Sequence, residues 1–121
     1  MYELKIKRAY LSPVVGDGYR ILIDKLWPRG ISKEKAEIDE WAKSITPSAE
    51  LRRWFGHKEE NYAEFARKYR AELDGNPLAS QFADAISELL TTTNVTLIYG
   101  AKNEHCNHAI ILRDWIVNHI P

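Results

Sequence analysis

Tyr19-Arg20-Ile21-Leu22-Ile23-Asp24 decides the fold class. Three consecutive branched apolar residues leave no wet face, so the segment reads as a strand covered on both sides, the signature of a parallel sheet. Val95-Thr96-Leu97-Ile98-Tyr99 has the same character. The stretch between them is dominated by helical periodicity, and a strand–helix–strand connection implies parallel pairing with a right-handed crossover. Upstream, Tyr2, Leu4 and Ile6 alternate with Glu3, Lys5 and Lys7. Period two with one charged face predicts a strand at a sheet edge or only half covered.

The helices can be placed by their stops and caps. Ser32 caps a short turn reaching Ala36, whereas residues 38–45 fit either a helix or a strand. Thr46-Pro47 reads as an N-cap followed by proline in the first helical position, and Gly56 closes that helix. Tyr62, Phe65, Ala66, Tyr69 and Leu73 form one apolar stripe, ended by Gly75. Asn76-Pro77 starts another helix, with Leu78, Phe82, Ile86 and Leu89 inward and Asn94 as its close. A last helix is expected over about 106–119, with Ala109, Leu112, Trp115 and Ile116 inward. The expected architecture is α/β: a small, mainly parallel sheet of three to five strands flanked by helices, in a single domain over residues 1–121.

Composition narrows the function classes. The chain holds 121 residues, 45% apolar and 28% charged, as ordinary globular domains do. Seventeen basic residues balance 17 acidic ones. Nucleic-acid binders usually carry a basic excess, so nucleic acid is disfavoured as a partner though not excluded. A single cysteine, Cys106, precludes an internal disulfide and a zinc-finger set. No apolar run nears the ~20 residues of a membrane span, and residues 1–10 do not resemble a signal peptide. No membrane association is expected, and the expected location is cytoplasmic.

Open α/β sheets bind ligands beyond the carboxyl ends of their strands. Two segments leave such ends: Asp24-Lys25-Leu26-Trp27-Pro28-Arg29-Gly30, and the run from Tyr99 to His108. If their strands are neighbours, both line one crevice. Asp24 reads first as an ion-pair partner of Arg29 or a turn cap, and also as a candidate general base or substrate anchor. Arg29 and Lys25 are candidates to grip an anion, Arg29 through its rigid donor fork. Trp27 offers a stacking face or simply packs. In the second segment, Glu104 and His108 are candidates for proton handling, and Tyr99, Lys102 and Asn107 for ligand contact. Arg53, Trp54 and His57, beside Arg52, form a third cluster that either joins the pocket or lies on a helix's solvent side.

Cys106 lacks the five-residue spacing to an arginine that a phosphatase loop requires: Arg113 follows after six, with no glycine between. It reads as a small packed side chain. His105 and His108 are three apart, unlike the zinc pattern of histidines four apart with an adjoining glutamate, so no metal site is assigned. No motif specifies a cofactor.

Taken together, Gly18 to Gly30, Ile38-Asp39-Glu40-Trp41, Thr46-Pro47-Ser48, Leu51-Arg52, Trp54-Phe55-Gly56-His57, Tyr69 and residues 97–109 resemble the YeaO-like family, domain of unknown function 488. The resemblance covers nearly the whole chain and is most specific in Asp-x-Leu-Trp-Pro-Arg-Gly. It implies a small prokaryotic cytoplasmic α/β protein and no particular activity. The chain departs from the family pattern at Lys25, usually arginine, and at Cys106, usually histidine, so the resemblance does not imply a reactive cysteine. The polar residues picked out at the strand ends coincide with the family motif. They point to a small-molecule pocket for an anionic or nucleotide-like ligand, with or without catalysis. The alternative is a nucleic-acid-binding or regulatory protein-interaction module using Arg20, Arg29, Arg52, Arg53 and Trp54.

Overall fold

The two apolar segments form the centre of a four-stranded parallel sheet in the computed structural model, which describes residues 2–120. The amino-terminal alternation builds β1 (Leu4–Arg8), and Tyr19–Leu22 forms β2. A short helix, α1 (Lys33–Ala36), leads to a two-residue strand, β3 (Glu40–Trp41). Then come α2 (Ala49–Phe55), α3 (Tyr62–Asp74), α4 (Pro77–Leu89), β4 (Val95–Tyr99) and α5 (His108–His119). The sheet order is β1-β4-β2-β3, with every pair parallel. Ile21 lies opposite Leu97 and Leu22 opposite Ile98. Thus β4, buried at all five positions, is central, and β1 with its lysines is an edge.

The two faces of the sheet are covered unequally. Ile21, Ile23, Val95, Leu97 and Tyr99 point into the main core, together with Phe55, Phe65, Tyr69, Leu73, Ile86, Leu112 and Ile116 from α2 to α5. Leu22, Ile98 and Ala9 meet a thinner cover made by Trp27, Ile31, Ile38 and Trp41. Ile21, Leu22 and Ile23 are at most 1% exposed. At ~1.5–3 kcal/mol for each fully buried side chain, Ile21 and Leu22 of β2, with Ile23 just past its end, are principal stabilisers of the sheet. Entry into β2 requires Gly18: its φ is +64°, and a Cβ there would sit 2.0 Å from the Asn94 carbonyl oxygen.

Several boundaries depart from the sequence expectation. The cap of α2 is Ser48, whose hydroxyl accepts from the Leu51 amide, and not Thr46. The Thr46 hydroxyl instead donates back to the Lys43 carbonyl, closing a 3₁₀ turn over Lys43–Ile45. Residues 38–45 are accordingly neither one helix nor one strand. Helix α4 ends at Leu89, not near Asn94; the Thr91 and Thr92 hydroxyls donate to the Glu88 and Leu89 carbonyls. Asn94 bridges two loops, accepting from the Glu3 amide and donating to the Gly16 carbonyl. Helix α5 begins at His108, because Asn107 is its cap and accepts from the Ile110 amide. His105 and Cys106 therefore precede the helix, and His105 and His108 do not share a helical face. No helix among the described residues is long and apolar enough to cross a membrane.

Candidate functional site

Strands β2 and β4 are direct neighbours, so the segments that follow them converge. Between them and α2 opens a crevice of about 240 Å³, lined by Asp24, Lys25, Leu26, Thr46, Pro47, Arg52, Phe55, His57, Phe65, Ala101, Asn107 and His108. Its apolar floor is Phe55 and Phe65, stacked with ring centroids 4.2 Å apart. Its polar wall is the junction of β2 with α5.

At that junction the Gly100 amide donates to Asp24 Oδ2 over 2.7 Å. The approach is close enough that a Cβ on Gly100 would fall 2.7 Å from the same oxygen, so no larger residue fits there without displacing Asp24. Asp24 Oδ1 is buried and has no hydrogen-bond partner among the described residues. His108 Nε2 lies 3.2 Å from it, but that nitrogen also lies 2.8 Å from the Ile23 carbonyl, the better-aligned acceptor. With two acceptors before it, Nε2 carries the ring proton. The other ring nitrogen, Nδ1, makes no hydrogen bond among the described residues and is not among the buried unpartnered atoms, and His108 lines the crevice.

Asn107 is a scaffold as much as a lining residue. It is 1% exposed; its side chain caps α5 and donates to the Asn103 carbonyl, and its own carbonyl accepts from the Tyr62 hydroxyl at 2.9 Å. Burial, reinforced by the nearby Cys106, pushes the Tyr62 hydroxyl upward, so it stays a donor. His57, on the rim, has φ +57°, following Gly56 at φ +56°. A non-glycine residue held in the left-handed region stores backbone strain, and such strain is concentrated at functional sites.

The model of the inactive DUF488-N3 subclade matches residues 3–120. The chain belongs to the YeaO-like DUF488 family. It is 43% identical over 114 residues to Uncharacterized protein YeaO of Escherichia coli (strain K12), covering 94% of this chain and 96% of that one. It is 31% identical over 110 residues to Uncharacterized protein Rv3073c of Mycobacterium tuberculosis (strain ATCC 25618 / H37Rv), with 91% and 90% covered. Uncharacterized protein Mb3100c of Mycobacterium bovis is equally similar. No solved structure matches.

The DUF488 motif divides around the sheet. Asp24 and Lys25 face the crevice, while Trp27 turns to the opposite face. There Trp27 packs edge-on against Trp41, with centroids 5.5 Å apart, and donates to the Ile31 carbonyl. Arg29 is exposed and outside the crevice lining; its carbonyl accepts from the Tyr10 hydroxyl. Asp24 therefore caps a backbone amide and makes no pair with Arg29. Tyr99 is buried in the main core and raised by burial and by Glu104. Lys102 and Glu104 are exposed on the loop and do not line the crevice.

The third cluster is split as well. His57 and Arg52 join the crevice, whereas Arg53 is exposed beyond it and Trp54 lines a separate groove under the Lys68 ammonium, 4.2 Å from its ring. Arg20, counted for the nucleic-acid alternative, is 3% exposed, pairs with Asp17 at 2.6 Å and donates twice to the Ala36 carbonyl. It offers nothing to an external phosphate. Phe65 had read only as part of a helix's apolar stripe, and Pro47 only as the start of a helix.

Proposed function

We propose that the crevice binds a small anionic molecule and that the protein acts as a ligand-binding module. The observation that carries this reading is the placement, at the carboxyl ends of two central parallel strands, of two cations, Lys25 and Arg52, over an apolar floor. Two full positive charges face one negative, Asp24, so the balance of the cleft favours an anion. The strained backbone at His57 supports the same location.

Binding without turnover is favoured over catalysis by the description of the matching subclade as inactive. The volume also limits the ligand. At ~30 Å³ of liquid per water, the cavity corresponds to about eight waters, below the ~300–1,000 Å³ typical of pockets for drug-sized ligands. Such a volume suits a small acid better than a whole nucleotide.

The test is thermal unfolding against small carboxylates, phosphate and sulfate. An anion at a hundred times its Kd adds ~2.7 kcal/mol, on the order of 10 °C for a domain of this size. Arg52→Ala is expected to abolish the shift. A panel of anions that leaves the melting temperature unmoved refutes the reading.

A further inference from the structure

We infer that the molecule bound in the crevice is a small carboxylate that also bears a hydrogen-bond donor, an amino acid or a hydroxy acid, and that His108 Nδ1 receives that donor. This rests on the anion-binding reading above and adds the feature that selects among anions.

The inference follows from the arrangement of acceptors around one ring. The Ile23 carbonyl lies 2.8 Å and Asp24 Oδ1 3.2 Å from the same His108 nitrogen, Nε2. A neutral imidazole has one N–H, and two acceptors at one nitrogen fix it there. In that neutral tautomer Nδ1 is an acceptor. Asp24, itself held by the Gly100 amide, lies 3.2 Å from Nε2 and helps to fix the orientation of the ring. Asp24 is thus a positioning residue: it acts through His108.

The resulting wall presents a lone pair, and the neighbouring wall presents Lys25 and Arg52, which have only donors. A simple anion satisfies the second and leaves the first unpaired. A molecule with a carboxylate and an N–H or O–H satisfies both. The volume, equal to about eight waters, suits a compound on the order of ten heavy atoms. Phe55, Phe65, Leu26 and Pro47 provide for an apolar side chain.

The experiment measures, on the full chain, the affinities of the standard amino acids, their 2-hydroxy analogues and the corresponding unsubstituted carboxylic acids, by calorimetry and thermal shift. An amino or hydroxy acid with an apolar side chain is expected to bind about tenfold more tightly than its unsubstituted partner, the worth of one good hydrogen bond. His108→Phe is expected to erase that ratio. If His108→Phe does not fold, His108→Gln, which keeps a donor for the Ile23 carbonyl, takes its place. Asp24→Asn is expected to reduce the ratio without abolishing carboxylate binding. Equal affinity for matched acids with and without the donor overturns the inference and leaves the anion site standing. Binding of phosphate or sulfate with no binding of any carboxylate does the same. A protein that binds no anion at all overturns both.

Discussion

Two aspartates flank β2, and the protein treats them in opposite ways. Asp17, just before the strand, is 3% exposed and fully paired. It accepts from Arg20 Nη1 at 2.6 Å, from Lys7 Nζ at 3.0 Å and from the Val14 amide at 3.1 Å. Its own carbonyl accepts from the Thr96 hydroxyl. Burial opposes its ionisation, but the Val14 amide, Lys7 and Arg20 together hold its carboxyl below the ordinary value. Asp24, just past the strand, has one oxygen bound to the Gly100 amide and one with no partner, at the wall of a crevice. A carboxylate whose bonding capacity is filled from within serves the fold. One left half-filled beside a cavity is available to act on something else.

The comparison predicts a steep asymmetry under mutation. Asp17→Asn leaves the buried Arg20 without its charge partner. Urea unfolding should register a loss of about 3–5 kcal/mol, the largest effect expected here. The pH dependence has a definite sign. Because the folded-state pKa of Asp17 lies below 3.8, its contribution is complete above the unfolded carboxylate range and is lost as pH falls through the lower folded value. Stability measured across that acid range should fall for the wild type and respond less steeply for Asp17→Asn.

Gly100→Ala attacks the other aspartate through its backbone donor. The added Cβ falls 2.7 Å from Asp24 Oδ2, so that bond must lengthen, and a cost of about 1–3 kcal/mol is expected by thermal or chemical unfolding. Asp24→Asn keeps an oxygen for the Gly100 amide and removes a buried charge; its stability change should stay within about 1 kcal/mol while ligand discrimination drops. A loss comparable to that of Asp17→Asn would erase the distinction between the two aspartates. The smallest effect is at the rim. His57→Gly relieves a left-handed backbone and should change stability by no more than about 1 kcal/mol, in the stabilising direction, with weaker anion binding. A clear destabilisation there would mean that His57 serves packing.

Much of the frame was legible because the deciding signals are local. Ile21-Leu22-Ile23 and Val95 to Tyr99 have no polar face to turn outward, so a doubly covered parallel sheet was the only economical arrangement. Asn76-Pro77 combines a side-chain acceptor with a residue lacking the amide that a first turn cannot use, and α4 starts there. The α2 cap was not legible, because Thr46 and Ser48 are chemically equivalent candidates. The choice is made by Glu72, 24 residues away, which accepts from both the amide and the hydroxyl of Ser48. Strand β3 likewise exists only because Glu40 and Trp41 lie against Ile21 and Leu22.

The site divides in the same way. The sequence by itself determined a parallel α/β sheet and directed attention to Asp24, Lys25, Asn107 and His108, since polar residues following buried strands must gather at the strand ends. Only the tertiary structure decided that Trp27 and Arg29 leave the crevice, that Arg52 and His57 enter it, and that Asp24 meets His108 instead of Arg29. The reason is that strand character follows from a residue's own side chain and its near neighbours. Which of several adjacent polar groups share a cavity depends on crossover connections that bring residues 24, 57 and 108 together, and no local spacing encodes those.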